Sequence, residues 1–284
     1  MQPSRRSPNP DRKRRSGRYV RRMTQRVGVF GAGGRMGSTV CRAVNADPDL
    51  ELVAAVDPHH AGLDMHQVTG CDLPLQVAPD GQAFIDAGVD VVVDFTHLDA
   101  ARGNLLWLAE HGIHAVAGTT GFSDDDYAEF RTAFSDSNCV IAPNFAIGAI
   151  LMMRFAEMAA PFFETAEIVE LHHDAKLDAP SGTAMLTAER MADASSEWAA
   201  DPTKTEILVG ARGGRGPADI RVHSLRLRGM VAHQEVILGT TGQTLSIRHD
   251  SYDRDSFMPG VVLAVKAVPG RPGLTIGLDS LLDL

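Results

Sequence analysis

The stretch VGVFGAGGRMG, residues 27–37, decides the fold. A short apolar run breaks into glycines, and a helical pattern follows to about Asn45, with apolar residues at Met36, Val40 and Val44. The order is therefore strand, tight turn, helix. A strand that feeds a helix in this way is the repeating unit of a parallel sheet.

Four further apolar runs continue this pattern, at residues 51–57, 89–96, 113–118 and 138–144. They are rich in Val and Ile, and helical segments separate most of them, which predicts a doubly wound α/β domain with helices on both faces of a parallel sheet. Ligands in such sheets bind outside the carboxyl ends of the strands. Residues 57–81 have no clear period, and a loop of that length is either functional or mobile.

The pattern changes after Asn144. A helix over 146–163 leads to a strand over 166–173 and a second helix from about Ser181. Four segments then alternate between polar and apolar residues and predict a mainly antiparallel sheet with one covered face: 205–211, 219–229, 232–240 and 243–250. Residues 254–267 return to helix, and the apolar tail from 273 is expected to pack against the first domain.

Charge is distributed unevenly along the chain. The net charge of −9 hides a basic head, because residues 1–26 carry nine Arg and one Lys against one Asp. The acidic remainder argues against broad nucleic-acid binding, which needs a surplus of Lys and Arg. We expect no membrane span, because no apolar stretch reaches about 18 residues. Three widely spaced cysteines predict buried, inert thiols and a reducing, cytoplasmic location: Cys41, Cys71 and Cys139.

The basic head, residues 1–25, has almost no apolar residues and is expected to be disordered. Three interpretations stay open: an arm that binds polyanions, an Arg-rich transit peptide, or translated sequence upstream of a true start at Met23. The last is favoured, because Met23 lies four residues before the first apolar strand.

The glycines of the turn suit a dinucleotide. Gly31, Gly34 and Gly37 stand at GxxGxxG spacing, where the backbone turns sharply and helix amides can meet a pyrophosphate. The spacing departs from strict GxGxxG. Its context supports the interpretation, because Asp57 ends the second strand 20 positions after Gly37, where an acid accepts ribose hydroxyls. The alternative is a tight corner without a ligand.

Asp57 also bears on the choice of cofactor, because a carboxylate there repels a 2′-phosphate. Pro58, His59 and His60 follow it, with no Arg. NADH should therefore be accepted at least as well as NADPH, although a protonated His59 would soften the preference.

The second concentration of functional residue types is ELHHDAKLDAPSGTA, residues 170–184. The adjacent His172 and His173 point to opposite sides of an extended chain, so we predict no metal site. Lys176 adds a cation nearby. Ser181 can cap a helix and leave the amides of Gly182 and Thr183 free for a carboxylate. The structural alternative is that Ser181 only caps and Lys176 is solvated.

Several motifs together resemble one family. They are GAGGRMG (31–37), DFT (94–96), AGTTGF (117–122), APNFAIG (142–148), the 170–184 string and the segment 223–261. In this order they closely resemble the dihydrodipicolinate reductases, also called 4-hydroxy-tetrahydrodipicolinate reductases, of bacterial lysine and diaminopimelate synthesis. The resemblance covers about residues 26–268, and the string HHxxKxDAPSGTA is its most specific part.

The resemblance implies an architecture and a reaction. A Rossmann-type dinucleotide domain, 26–144 with 254–284, would be joined to an α+β domain, 145–253, that binds substrate and builds a homotetramer. NADH or NADPH would pass hydride to the ring of a cyclic dicarboxylate imine. The negative charge that builds on the ring would be quenched by a proton from His172 or Lys176, and which of the two donates stays open.

The resemblance also assigns roles to the matching positions. Substrate carboxylate would be held by His173, Ser181, Gly182 and Thr183. The ribose would meet Asp57, and the phosphates would meet the turn Gly31, Ala32, Gly33, Gly34, Arg35 and Met36. The nicotinamide side would be formed by Gly118, Thr119, Thr120, Ala142, Pro143, Asn144 and Phe145.

The chain departs from the family pattern at one loop, and two other interpretations of its function stay open. After DFT the chain has His97, Leu98 and Asp99, where the family more often has a small residue and Pro, so the loop there is expected to differ. A different two-domain oxidoreductase, such as an amino-acid or sugar dehydrogenase, would share the first domain without HHxxK beside SGT. A dinucleotide sensor or nucleic-acid-binding protein would use the basic head.

Overall fold

The computed structural model describes residues 24–282, and within them the chain forms two sheets with helices packed against both. The strands are β1 Gln25–Phe30, β2 Leu50–Val56, β3 Val91–Asp94, β4 His114–Ala117, β5 Cys139–Ile141, β6 Thr165–His172, β7 Gly214–Arg215, β8 Arg221–Arg226, β9 Ala232–Thr240, β10 Gln243–Ser251 and β11 Leu274–Ile276. The α-helices are α1 Arg35–Ala46, α2 Met65–Thr69, α3 Gln82–Asp86, α4 Leu98–Glu110, α5 Asp124–Ala133, α6 Ile147–Ala159, α7 Gly182–Ala194 and α8 Met258–Ala267.

The first sheet is parallel, with the strand order β11-β5-β4-β3-β1-β2. Its central strands are apolar along their whole length because both faces are covered, and every residue of β3 is buried. One apolar cluster joins α1 and α8 to one face, and a second joins α3, α4 and α5 to the other. The predicted doubly wound α/β architecture is confirmed.

The C-terminal tail does more than pack against this sheet. Leu274, Thr275 and Ile276 form its sixth strand, parallel to β5. Helix α8 returns to the same layer and packs against α1. Three residues are too few to show a strand pattern in the sequence, so this edge strand was not predicted.

The second sheet has the order β10-β9-β6-β8-β7. Its pairs are antiparallel except for β6 with β8, which run parallel. Helices α6 and α7 cover one face through a cluster that includes Ile168, Met191, Val236 and Leu238. The prediction of a mainly antiparallel sheet with one covered face is confirmed.

Two segments differ from their predictions. Residues 205–211 form no strand but an exposed series of turns, with Ile207 and Val209 almost fully exposed. The pattern there was alternating, but the segment has no strand beside it to pair with. The segment after Asp57 is more ordered than a long loop, because Asp64 caps α2 and Met65 is fully buried.

The remaining predictions concern composition. All three cysteines are free and buried, as predicted, and burial raises the pKa of the Cys41 thiol.

No helix among residues 24–282 is long and apolar enough to cross a membrane. The predicted basic head lies outside the described residues except for Thr24 and for Gln25, which already belongs to β1. The division into two domains stays a prediction.

Candidate active site

The glycine turn between β1 and α1 has the geometry of an anion site. Gly31 adopts a φ of 69°, which favours glycine, and a side chain at Gly37 would collide with the carbonyl of Gly31. Gly34 is the N-cap of α1, and no side chain caps this end of the helix. The positive end of the helix is therefore presented at the turn, which suits a pyrophosphate.

Asp57 lies beside this turn at the end of β2. One carboxylate oxygen accepts the Gly33 amide at 2.9 Å, and the other accepts the His59 amide at 3.0 Å. The His60 ring lies 3.1 Å away through Nδ1. Burial raises the pKa of Asp57, but the adjacent His60 ring and the bonds from the Gly33 and His59 amides outweigh it and hold this pKa below its ordinary value. The carboxylate is ionised, as an acceptor for ribose hydroxyls needs to be.

The histidine beside Asp57 differs from the predicted one. The sequence pointed to His59 as the cation that softens the repulsion of a 2′-phosphate, but His59 contributes its backbone amide, whereas the ring of His60 contacts the carboxylate. His60 also fills the space over Gly33, where even a methyl group would collide with its ring. The turn after Asp57 brings residue i+3 back to it, a local geometry that the sequence did not reveal.

A cavity of about 680 Å³ extends from the turn along the edge of the sheet. Its walls include Gly31, Gly34, Asp57, Thr96 and Trp107. A helix end without a side-chain cap, a buried carboxylate and a wall that includes Trp107 together fit the adenosine half of a dinucleotide.

A second cavity, of about 640 Å³, lies between the two sheets. Three residues of the predicted nicotinamide side reach it, namely Thr120, Pro143 and Asn144. It is also lined by most of the predicted catalytic and substrate residues: His172, Lys176, Ser181, Gly182 and Thr183. Two stretches of sequence that were predicted separately thus line one cavity.

The other predicted nicotinamide residues lie behind this wall. Thr119 donates its hydroxyl to the Thr96 carbonyl at 2.8 Å. Phe145 is buried against Phe95, with ring centroids 5.6 Å apart. Gly118 packs so closely against the Phe95 ring that a β-carbon would collide with it. Ala142 is buried in the core cluster beneath. These residues shape the wall and do not line the cavity.

The loop after DFT has a specific structure. His97 is the N-cap of α4, and its Nδ1 accepts the Ala100 amide at 3.1 Å. Neighbouring Asp94 is fully buried and accepts bonds from the Thr96 hydroxyl and from Asn104, both at 2.7 Å. The departure at His97 therefore supplies a helix cap.

His172 ends β6 and faces the cavity, with 17% of its side chain exposed. Its Nδ1 lies 2.5 Å from a carboxylate oxygen of Glu170, which is fully buried. Burial lowers the pKa of His172, and Lys176 and Arg226 add to this, whereas Glu170 opposes it; the net shift is downward. His172 is therefore mainly neutral near pH 7.

Lys176 and the start of α7 form the other side of the cavity. The Lys176 ammonium donates to both carboxylate oxygens of Asp178, at 2.7 and 2.8 Å. Ser181 caps α7 by accepting the Ala184 amide at 3.2 Å, as the sequence predicted. Gly182 is exposed, and the space that a β-carbon would occupy there is open. The helix end and the ammonium thus form a cationic patch suited to carboxylates.

His173 is placed differently from its neighbour. It follows the end of β6, is exposed, and is not among the residues that line the cavity. The pleat turns successive side chains to opposite faces, so His172 enters the cavity and His173 does not. Its predicted contact with substrate stays a prediction.

Three charged residues of the site escaped the sequence analysis: Glu170, Asp178 and Arg226. Glu170 stands two positions before His172 on a strand, which puts both on one face, so a period-2 reading would have found it. Arg226 comes from β8 and contacts Glu170 only through the pairing of β6 with β8. No local pattern shows such a contact.

These features define a class. A parallel sheet with a glycine turn, an acid at the end of the second strand and a mixed second sheet over the cavity is the architecture of two-domain, pyridine-nucleotide-dependent oxidoreductases. No group of His, Cys, Asp and Glu within the described range could hold a metal ion.

Within that class, the chain belongs to the dihydrodipicolinate reductase family. Residues 25–145 match the N-terminal model of dihydrodipicolinate reductase, and residues 148–282 match the C-terminal model. The 4-hydroxy-tetrahydrodipicolinate reductase of Nocardia farcinica is 52% identical over 92% of this chain and 100% of its own length. That of Thermobifida fusca is 53% identical over 91% of this chain and 99% of its own length.

One solved structure supports the same family, and another shares the fold alone. A dipicolinate-bound dihydrodipicolinate reductase from Paenisporosarcina sp. TG-14 superposes with a TM-score of 0.80 and 37% identity, over 91% of this chain and 99% of that chain. An amine dehydrogenase from Mycobacterium smegmatis has a TM-score of 0.60 but 13% identity, over 88% of this chain and 94% of that chain, and shares only the fold.

Proposed function

We propose that this chain catalyses the NAD(P)H-dependent reduction of 4-hydroxy-tetrahydrodipicolinate to tetrahydrodipicolinate in lysine and diaminopimelate biosynthesis. The observation that carries the proposal is the cavity between the two sheets, where Thr120 and Asn144 face His172, Lys176 and the start of α7. The names of the relatives and the dipicolinate held by one of them support the same substrate class.

The cationic side of the cavity holds the substrate. A dicarboxylate ring needs two anion sites, and the first is formed by the Gly182 and Thr183 amides at the start of α7, with Ser181 fixing that end. Lys176 lies on the same wall, where the incoming carboxylate competes with Asp178 for its ammonium. The proposed ligand of the second carboxylate is His173, which is exposed directly after β6.

The proton comes from the chain. Loss of the 4-hydroxyl as water leaves a conjugated C=C–C=N ring. The reduced nicotinamide, when bound, supplies a hydride to that ring, and the charge that builds there needs a proton from a nearby acid. Neutral His172 does not carry the extra proton near pH 7, because burial lowers its pKa. The proposed donor is therefore the Lys176 ammonium, which lines the same cavity, and neutral His172 orients the substrate.

The cofactor lies along the edge of the first sheet. The phosphates bind the turn from Gly31 to Met36, with Arg35 exposed at its rim, and the ribose binds Asp57. The nicotinamide reaches the second cavity beside Thr120 and Asn144, with Gly118, Thr119, Ala142 and Phe145 supporting that wall. Because ionised Asp57 repels a 2′-phosphate, NADH is accepted at least as well as NADPH.

The wider organisation follows from the same assignment. Residues 26–144 with 254–284 bind the dinucleotide, and residues 145–253 bind substrate and form a homotetramer in the cytoplasm.

The test is turnover by the purified chain. Enzymatically generated 4-hydroxy-tetrahydrodipicolinate is added with NADH or NADPH, and loss of the reduced nicotinamide is followed by absorbance. We expect oxidation that depends on the substrate. No oxidation with either cofactor, from a folded preparation that binds NADH, would refute the proposed reaction.

A further inference from the structure

Glu170 joins three parts of the site. It lies on β6 with no exposed side-chain surface, and both carboxylate oxygens are engaged. One accepts the Ser181 amide at 3.2 Å and a guanidinium nitrogen of Arg226 at 2.8 Å. The other lies 2.5 Å from Nδ1 of His172 and accepts the second Arg226 nitrogen at 2.9 Å.

A buried carboxylate is unfavourable unless its charge and lone pairs are satisfied. Arg226 binds Glu170 with two parallel hydrogen bonds, the strongest arrangement for this pair. Burial raises the pKa of Glu170, but the bonds from Arg226, Ser224 and His172 outweigh it and hold the pKa below its ordinary value. The carboxylate therefore stays ionised and can accept from all of its partners.

An ionised Glu170 determines which nitrogen of His172 carries the proton. A carboxylate only accepts hydrogen bonds, so Nδ1 must be the donor, and Nε2 is left as the free lone pair on the neutral ring. The same carboxylate holds the Ser181 amide, next to Gly182 at the start of α7. The histidine and the anion site are thus aligned by one residue.

We propose that Glu170 is the positioning residue of this site: it fixes His172 in the Nδ1-protonated tautomer, aims Nε2 at the substrate cavity, and ties that ring to the start of α7. The proposal rests on the proposed function for the role of His172, but the tautomer itself can be measured without turnover.

The chain provides a matched control on the same strand. Glu167 forms a similar set with His223, at 2.7 Å, and with Arg212, at 2.6 Å. Its odd spacing from Glu170 puts it on the opposite face of the sheet, away from the cavity. Glu167→Gln removes a Glu-His-Arg set without touching the site, whereas Glu170→Gln removes the one at the site.

The direct readout is nitrogen NMR of the full chain with labelled histidine, using His172→Asn to identify the His172 signals. In the wild type we expect a protonated Nδ1 and an unprotonated Nε2. In Glu170→Gln the single acceptor oxygen stays with Arg226 and the amide NH₂ faces the ring, so the proton should move to Nε2. In Glu167→Gln the His172 signals should not change.

The kinetic readout separates positioning from folding. Glu170→Gln should lower kcat on the order of 10²-fold or more, with KM for NADH unchanged, because the wrong tautomer is held at the site. The pKa of His172 should also fall further, because Glu170 is the group that opposes the downward shift. Glu167→Gln should leave kcat within about twofold.

Three outcomes would overturn the proposal. The first is a wild-type His172 protonated on Nε2, which needs no variant and therefore decides the matter even if Glu170→Gln does not fold. The second is a folded Glu170→Gln with unchanged tautomer. The third is an active wild type whose kcat is unaffected by Glu170→Gln. A wild type without turnover but with the expected tautomer would refute the proposed function and leave the positioning role standing.

Discussion

Single residues at this site act through their neighbours. The Lys176 ammonium donates to Asp178, and Nδ1 of His172 contacts Glu170. Asp57 accepts an amide of the glycine turn. Sequence analysis identified the first member of each pair because its residue type suits the chemistry. It missed Glu170 and Asp178, whose residue types are common on protein surfaces. The spacing of Glu170 from His172 was a usable signal, whereas Asp178 is identified only by its contact with Lys176.

Lys176→Ala tests the proton donor. Loss of the ammonium should lower kcat by about 10²- to 10⁴-fold, the usual contribution of a catalytic acid, while NADH binding, measured by fluorescence titration, should not change. Lys204→Ala, at an exposed lysine away from the cavity, is the control and should behave as wild type. Normal turnover by Lys176→Ala would show that the donor is a different group.

Asp57→Asn tests the choice of cofactor. The amide keeps the shape but removes the charge that repels a 2′-phosphate, so the Kd for NADPH should fall relative to that for NADH on the order of tenfold. Both constants are measured by fluorescence titration, with Asp72→Asn at an exposed position as the control. An unchanged ratio would mean that Asp57 does not face the ribose.

At the scale of elements, patterns that repeat were predictable and contacts between distant segments were not. The strands β1 to β5 and helices α1 and α7 have clear apolar periods or caps, and the structure contains them. Strand β11 is three residues long, and residues 205–211 alternate without a pairing partner. In both cases the position of other segments, and not the local sequence, decides whether a strand forms.

His114 should make the first sheet sensitive to acid. Its Nδ1 accepts the Asn138 amide at 2.9 Å, a bond that needs the neutral ring, and burial lowers its pKa from 6.5. The unfolded chain binds a proton more readily, so this stabilisation is present above about pH 6.5 and is lost as the pH falls through the lower, folded pKa.

The measurement for His114 is urea unfolding between neutral and mildly acidic pH. His114→Asn keeps an acceptor for the amide without a titrating ring, so its free energy of unfolding should depend less on pH than that of the wild type. His111→Asn, at an exposed position, is the control. Equal slopes for wild type and His114→Asn would contradict the prediction.

At the scale of the whole molecule, the proposed site is assembled from both sheets within residues 24–282. The sequence predicted both layers, the glycine turn and the 170–184 string as separate features. Apart from the family resemblance, it did not predict that Thr120 and Asn144 line the same cavity as Lys176, since that depends on how the two sheets pack. The motif resemblance supplied this connection before the geometry did.

The charge of the chain leads to a prediction at this scale. The residues proposed for catalysis and cofactor binding all lie after Met23, whereas all nine Lys and Arg residues of the head precede it. A chain that starts at Met23 should therefore have the same kcat/KM and the same thermal midpoint as the 284-residue chain. Loss of folding or of activity in the shorter chain would give the head a role.

The most direct test of the central claim follows the hydride itself. The chain is incubated with 4-hydroxy-tetrahydrodipicolinate and NADH that carries deuterium at one of the two positions on nicotinamide C4, and the product is analysed by mass spectrometry. Direct transfer in the cavity between the sheets predicts one deuterium per product molecule from one of the two labelled forms and none from the other. Product without deuterium from both forms would contradict the account.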